Sequence, residues 1–352
     1  MSEGIVGPRR RAPRWILAAC SLLLALLLLE LVTRIEGPPV CAGTEGFLLA
    51  ANDEVGWTFT PELTFTFDPC APLGTRRNWS APVAINAQGL HDQPWPYEKR
   101  PGEVRVLLLG DEVSDGVGVE RGDRLSVRIA HLSDRSRGAR VAAINAAIPG
   151  YGPAEALRFL ERRGLRYAPD VVVLLVDREH DLAATLDPPE AQVLAADIPP
   201  ASGLLGLSGA ARWLARRPAR TPASAVRIVA PEPITTAADT ERARGRLLEL
   251  IERMARTSHA AGASFAVAIA PRCPVTPSDV DLCSDVERVA PCVDLGPVFA
   301  EHERNTAGRN ELCIPDQPRW GRDGHFLASH KIWDTLAARQ LWPASVVGGD
   351  RL

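Results

Sequence analysis

The chain has 352 residues, enough for one large domain or two small ones. Its formal net charge is −3, from 40 lysine and arginine residues and 43 aspartate and glutamate residues. The arginines are spread along the sequence, which does not favour the concentrated basic surface that nucleic-acid binding requires. Nucleic acid is therefore excluded as an expected partner.

The N-terminus carries the pattern of a membrane anchor. Four arginines (Arg9, Arg10, Arg11 and Arg14) precede a mostly apolar stretch, Trp15–Thr33, that is long enough to span a bilayer. We expect residues 1–36 to form a cytoplasmic basic stub and a single-pass, uncleaved transmembrane helix in a bacterial inner membrane. The remainder then lies in the periplasm or outside the cell. A cleaved signal peptide and a buried helix of a soluble protein are the alternatives.

The cysteine count agrees with export to an oxidising compartment. One cysteine, Cys20, lies inside the predicted anchor. The others are Cys41, Cys70, Cys273, Cys283, Cys292 and Cys313. An even number predicts disulfides, and six cysteines leave 15 connectivities open. Ordinary buried thiols are the alternative, and the lack of a CxxC pair argues against a zinc site.

The pattern along the chain predicts an α/β fold. Residues 37–100 read as a wrapping segment, and residues 101–345 as the main domain with an insertion at about 184–225. The apolar runs "VRVLLLG", "VAAINAA", "VVVLLV" and "SFAVAIA" are typical of a parallel sheet buried on both faces. Helices are predicted at 122–134, 153–164 and 238–262. A short strand in "CVDLGPVF" and a closing helix in "ASHKIWDTLAARQLW" complete the domain.

Ligands of open α/β sheets bind at the carboxyl ends of the strands, so the turns that leave the strands are where chemistry is expected. The first turn is "GDEVSDG", in which the residue after Asp111 is expected at the start of a helix. The other candidates are Gly150 in "NAAIPGYG", His180 and Asp181 in "DREHDL", and Asp323 and His325 in "GRDGHF", just before the last helix.

These motifs resemble those of the SGNH (GDSL) hydrolase family, in its membrane-anchored bacterial branch. The segments "INAQGL", "GEVRVLLLGDEVSDGVGV", "INAAIPGYG", "ERRGLRYAPDVVVLLV" and "DGHF" occur in the family's order between about residues 50 and 345. The resemblance implies a flavodoxin-like three-layer α/β/α sandwich and an acyl ester hydrolase without a cofactor. In this family a serine attacks the ester, a histidine and an aspartate activate it, and an oxyanion hole stabilises the intermediate.

The resemblance carries over to only part of the catalytic set. Gly150 matches an oxyanion-hole glycine, and Asp323 and His325 match the acid and base, with one residue between them where many members have two. The nucleophile position holds Glu112 instead of serine. The position of an oxyanion-hole asparagine holds His180 if "EHDL" aligns with the family's "GNDL". Asp111 and Asp181 are expected to support the site.

A carboxylate in the nucleophile position has no proton to give at neutral pH, so ordinary serine catalysis is expected to fail. We expect Glu112 to lie at a helix N-terminus and to face His325. Ser114 is an unsuitable substitute, because positions i and i+2 of a helix point in different directions.

Three functions are compatible with these residues. The first is a degenerate domain that binds an envelope polysaccharide, an acylated glycan or a protein partner. The second is an active hydrolase or O-acetyl transferase acting on cell-surface glycans through Glu112 and His325. The third is a metal site formed by the six candidate side chains: Asp111, Glu112, His180, Asp181, Asp323 and His325.

Overall fold

The computed structural model describes residues 21–28, 48–67, 81–134, 139–193, 226–275, 281–306, 310–315 and 317–347. The chain divides into two units, and the smaller contains residues 1–39 and 196–220. Of that unit only residues 21–28 are described, as helix, so the predicted anchor lies largely outside the described residues. Within the described ranges, no helix is both long and apolar enough to cross a membrane.

The larger unit is an α/β domain. Its strands are β1 (Leu49–Asn52), β2 (Gly56–Phe59), β3 (Thr64–Phe67), β4 (Ala81–Ala84), β5 (Val104–Gly110), β6 (Val141–Ala147), β7 (Val171–Asp177), β8 (Glu190–Val193), β9 (Val226–Val229), β10 (Ser264–Ala270) and β11 (Cys292–Asp294). Its α-helices are α1 (Leu125–Asp134), α2 (Pro153–Arg162), α3 (Arg178–Leu186), α4 (Ala237–Ala260), α5 (Leu282–Val286), α6 (Gly296–Thr306), α7 (Arg322–Ala338) and α8 (Ala344–Val347).

Five parallel strands form the central sheet in the order β6-β5-β7-β10-β11. The chain passes from β5 to β6 on one side and then crosses to β7 on the other side of β5. In open α/β sheets this change of direction leaves a crevice beyond the carboxyl ends of the two strands concerned. The crevice is therefore expected beyond β5 and β7.

The strands are apolar along nearly their whole length because both faces of the sheet are buried. Leu107 and Leu109 of β5 point into one core, which also contains residues of α2 and α4. Val106 and Leu108 point into a second core, which contains residues of α1 and α7. Helices thus cover both faces, and the predicted α/β class is confirmed.

Three antiparallel strand pairs accompany this sheet: β1 with β2, β3 with β4, and β8 with β9. The first two lie in the predicted wrapping segment, and hydrogen bonds between that segment and the sheet domain hold it in place. The buried guanidinium of Arg105 donates hydrogen bonds to the carbonyls of Pro96, Tyr97 and Glu98 at 2.9–3.1 Å. Trp57 donates from Nε1 to the carbonyl of Pro149, 3.0 Å away.

The helices and strands differ from the predicted ones mainly at their ends. The strand predicted in "CVDLGPVF" stops at Asp294, and α6 begins at Gly296. The closing helix begins at Arg322, so Asp323 and His325 lie in its first turn instead of before it. His180 and Asp181 likewise lie in the first turn of α3. There Asp177 caps the helix by accepting hydrogen bonds from the N–H groups of Glu179 and His180.

Two disulfides are formed among the described cysteines. Cys283 is bonded to Cys292, and Cys273 is bonded to Cys313. The second bond joins the loop after β10 to the segment that precedes α7. Cys41 and Cys70 lie outside the described residues, so the expectation for them stays a prediction.

A buried ion pair connects the first strand-end turn to the last helix. Asp115 follows Glu112 in the turn after β5, and Arg319 precedes α7. The Arg319 Nη2 atom lies 3.3 Å from Asp115 Oδ2, and the two side chains are 2% and 0% exposed. Burial raises the pKa of Asp115 to about 6 against the opposing charge of Arg319.

We expect Arg319→Met to lower the free energy of unfolding by about 3 kcal/mol, because it leaves the Asp115 carboxylate buried without its cation. Urea denaturation at pH 7 measures this change. Arg339→Met is the control, since Arg339 pairs with Glu287 and is half exposed. We expect it to change stability by less than about 1 kcal/mol. Equal effects of the two substitutions would contradict a structural role for the buried pair.

Candidate functional site

A cleft of about 570 Å³ opens beyond the carboxyl ends of β5, β6, β7 and β10. Polar side chains and one glycine line one part of it, and apolar side chains line the other. The lining residues are Leu49, Glu112, Pro149, Gly150, His180, Val226, Arg227, Ile228, Ala230 and Arg272. Three residues predicted for the site from the sequence, Glu112, Gly150 and His180, are therefore brought together.

The carboxylate of Glu112 is held by a backbone N–H and a guanidinium. Oε2 accepts a hydrogen bond of 3.0 Å from the N–H of Gly150, and Oε1 lies 3.2 Å from Nη2 of Arg272. The expected helix start at Glu112 is wrong: residues 111–120 form turns, and α1 begins only at Leu125. Glycines at positive φ, Gly116 and Gly118, shape this stretch as a loop. The anion is stabilised by specific partners instead of a helix dipole.

Arg272 is a site residue that the sequence reasoning missed. It follows β10 by two residues and makes an ion pair with Asp177, the last residue of β7, in addition to Glu112. The signal that could have found it is its place just beyond "SFAVAIA", at the carboxyl end of a strand. One guanidinium is thus shared by two carboxylates from different loops.

A second group of charges surrounds His180. Its Nδ1 atom lies 3.2 Å from Oδ1 of Asp181 and 3.9 Å from Oδ2 of Asp111. Asp111 and Asp181 are almost fully buried. The other oxygen of Asp181 accepts a hydrogen bond from the N–H of Asp177, and Oδ1 of Asp111 accepts one from the N–H of Val113. Both predicted supporting residues, Asp111 and Asp181, therefore lie next to His180, and His180 lines the cleft.

The charges of this cluster shift several pKa values. Burial raises the pKa of Glu112, but the positive charges of His180 and Arg272 and the Gly150 hydrogen bond outweigh it and lower the pKa to about 2. Burial lowers the pKa of His180, but its hydrogen bond to Asp181 and the negative charges around it raise the pKa to about 10. Burial and the neighbouring carboxylates hold the pKa of Asp111 well above its usual value of 3.8.

Gly150 brings its N–H to Glu112 because its backbone has φ +76°, a conformation that glycine adopts without strain. A Cβ atom at this position would lie 2.7 Å from Cγ2 of Ile228, so β9 passes directly over the glycine. The turn after β6 and strand β9 therefore form one wall of the cleft.

Asp323 and His325 do not contact each other, although the sequence predicted an acid and base pair. Asp323 accepts a hydrogen bond from the N–H of Glu311 and lies 3.4 Å from His302, whereas Nδ1 of His325 accepts one from the N–H of Leu125. The reason is their position two residues apart in one helical turn, where side chains point in different directions.

The expected contact between Glu112 and His325 is also not formed. Among the described residues, Glu112 bonds to Gly150 and Arg272, and His325 is fully buried with Leu125 as its bonding partner. Burial, followed by the charges of Arg124 and Arg128, lowers the pKa of His325 to about 3. The predicted set of six metal ligands accordingly does not assemble as a whole, because Asp323 and His325 are engaged elsewhere.

Ser114 is buried, and its hydroxyl lies where a Cβ atom on Gly110 would meet it at 2.7 Å. It does not line the cleft. Ser114 lies in a turn and not on a helix, and the expectation that it does not replace the missing nucleophile stays a prediction.

Comparison with solved structures returns SGNH-type enzymes. A lipase/acylhydrolase from Enterococcus faecalis is 15% identical, with a TM-score of 0.38 over 67% of this chain and 96% of that one. A putative lipolytic protein of the G-D-S-L family from Desulfitobacterium hafniense is 11% identical, with a TM-score of 0.39 over 66% and 99%. An acetylxylan esterase from Geobacillus stearothermophilus, solved as a catalytic mutant, is 11% identical, with a TM-score of 0.41 over 66% and 94%.

The neighbours thus come from the same fold family that the motifs indicated. At these identities the likeness concerns the fold alone. No protein-family model and no curated protein matches the sequence.

We expect His180 and His325 to have opposite protonation states at pH 7. The buffer contains a chelator, so that no metal ion binds the imidazole rings. With pKa values of about 10 and about 3, His180 is cationic and His325 is neutral, with its proton on Nε2. Two-dimensional ¹H–¹⁵N spectra of the imidazole rings distinguish these states. Two neutral rings, or two charged rings, would contradict the electrostatics described here.

The shift of His180 also sets a direction for stability. Its pKa in the folded state lies above the value of about 6.5 for an unfolded histidine, so the stabilisation is fully present below pH 6.5. It is lost as the pH rises through about 10. His180→Gln, compared with the wild type in urea denaturation between pH 6 and 10, should remove this part of the pH dependence.

Proposed function

We propose that this chain is a non-hydrolytic domain of SGNH type that binds a carbohydrate of the bacterial envelope in the cleft beyond its strand ends. The observation that carries the proposal is the hydrogen bond from the Gly150 N–H to Glu112. An oxyanion hole acts by presenting free donors to the charge that develops on an acyl oxygen. Here the carboxylate of Glu112 already accepts the hydrogen bond of the Gly150 N–H.

Glu112 is also poorly suited to act as a nucleophile or base. A carboxylate with a pKa of about 2 is a weak base, and both of its oxygens have cationic or N–H partners. Among the described residues, His325 has no carboxylate partner of the kind that orients a catalytic imidazole, because Asp323 bonds elsewhere. These facts favour binding over acyl transfer.

The cleft has the surface that a saccharide needs. Glu112 accepts hydrogen bonds from hydroxyl groups, and Arg272, which is 32% exposed, donates them. Ile228, which is partly exposed, and Ala230, which is exposed, offer apolar surface for the C–H faces of sugar rings. A protein partner in the same cleft is the other occupant that the sequence left open.

The cellular setting of the proposal rests on the sequence. The basic and apolar N-terminal segment predicts a single-pass anchor in the inner membrane, with the domain in the periplasm or outside the cell. The two disulfides are compatible with such a compartment.

The first test is turnover of an aryl acetate by the purified full-length protein. We expect no activity above the buffer rate, because the donor of Gly150 is occupied and no hydroxyl faces the cleft from the nucleophile position. Glu112→Ser should stay inactive as well, since loss of the aspartate partner of a catalytic histidine costs about 10⁴-fold.

If the wild type does hydrolyse the aryl acetate, two variants identify the side chain responsible. Turnover by the wild type that disappears in Glu112→Gln would establish acyl transfer through this carboxylate, as in the alternative enzyme or O-acetyl transferase, and would overturn the proposal. Turnover that disappears in Ser114→Ala would assign the reaction to that hydroxyl and would overturn it equally.

The second test is direct binding of acetylated and deacetylated envelope polysaccharides, measured by calorimetry. We expect Arg272→Gln to weaken binding about tenfold, because it removes a charged hydrogen-bond donor from the cleft. The matched control is Arg322→Gln, which changes a paired arginine on α7. Binding that is absent for every polysaccharide, or equal in the two variants, would contradict a saccharide site in this cleft.

A further inference from the structure

Asp111, His180 and Asp181 form a compact group, of which His180 lines the cleft. One ligand atom from each, two carboxylate oxygens and an imidazole nitrogen, lies within 4.8 Å of the others. The two distances from Nδ1 of His180, 3.2 Å and 3.9 Å, lie in the range of roughly 3 to 4 Å found between ligands of one first-row metal ion.

The second observation is an oxygen without a partner. Oδ2 of Asp111 is buried and has no hydrogen-bond partner among the described residues, and the whole residue is only 2% exposed. Buried polar atoms are nearly always satisfied, so an exception calls for a missing group such as a water molecule or an ion. This oxygen lies 3.9 Å from Nδ1 of His180, inside the group of three.

The charges around this oxygen favour a cation. Four carboxylates meet here, those of Asp111, Glu112, Asp177 and Asp181, and their cationic partners are Arg272 and His180. Arg272 is already shared by Glu112 and Asp177, and among the described residues the partner of both Asp111 and Asp181 is the His180 imidazole. A divalent ion would add positive charge to this acidic group.

We propose that Asp111, His180 and Asp181 bind one divalent transition-metal ion, such as Mn²⁺ or Zn²⁺, at the side of the cleft that His180 lines. A set of one imidazole and two carboxylates suits these ions better than Ca²⁺ or Mg²⁺, which prefer oxygen ligands alone. His180 lines the cleft, so an ion can reach the three ligands from the cleft past this side chain. Three protein ligands leave coordination positions for oxygen atoms of water or of a bound ligand.

This inference goes beyond the proposed carbohydrate binding, and its test does not depend on any glycan. The full-length protein is stripped with a chelator, dialysed and titrated with Mn²⁺ in a calorimeter. We expect one equivalent to bind. Asp111→Asn should weaken binding at least about 30-fold, because it removes the charge of a direct ligand at nearly constant shape.

The matched control is Glu112→Gln, which removes a neighbouring negative charge and no ligand. Its loss of affinity should be at least about tenfold smaller than that of Asp111→Asn. Equal losses in the two variants would show general attraction of cations to an acidic cleft and would overturn the site. The absence of Mn²⁺ binding to the wild type at millimolar concentration would overturn it as well.

A measurement on the wild type keeps the test decisive if Asp111→Asn does not fold. Substoichiometric Mn²⁺ broadens the NMR signals of nearby protons, so the ring signals of His180 should broaden first. His259 and His330, at the end of α4 and on α7, serve as internal references. Broadening of either reference before His180 would place the ion elsewhere and overturn the proposal.

Discussion

The carboxylate of Glu112 joins loops that leave three different strands. It lies beyond β5, accepts a hydrogen bond from Gly150 beyond β6, and pairs with Arg272 beyond β10. Arg272 extends the connection to Asp177 at the end of β7. Four neighbouring strand ends are therefore linked by hydrogen bonds and charge in a partly buried cleft, where such interactions are stronger than in water. The geometry of the whole edge depends on this one side chain being ionised.

An ionised side chain at this position changes what the fold can do. A serine offers a proton and a nucleophilic oxygen, whereas a carboxylate offers a fixed negative charge that attracts cationic and donor groups. The positive charges of Arg272 and His180 lie near this carboxylate and lower the pKa of Glu112. In an esterase, preorganised hydrogen-bond donors stabilise the charge that develops in the acyl transition state. Here the donors Gly150 and Arg272 bond to Glu112 in the resting protein instead.

Much of the sheet was predictable because its strands are buried on both faces and so appear as continuous apolar runs. The same logic located Glu112, Gly150 and His180 at strand ends, and it would have located Arg272 beyond β10 as well. Helix starts were harder to predict. Arg322 begins α7 without a side-chain cap, since Gly321 precedes it. No capping residue therefore indicated that Asp323 and His325 share a helical turn. Their separate partners, Glu311 and Leu125, are distant in sequence and follow from tertiary packing alone.

Cys273 is the neighbour of Arg272 in the chain, and its bond to Cys313 fastens the loop of this arginine to the segment that leads into α7. The guanidinium that two carboxylates share is thereby held in place by a covalent crosslink one residue away. Reduction of this bond would leave the ion pairs with Glu112 and Asp177 to position the arginine without a covalent constraint beside it.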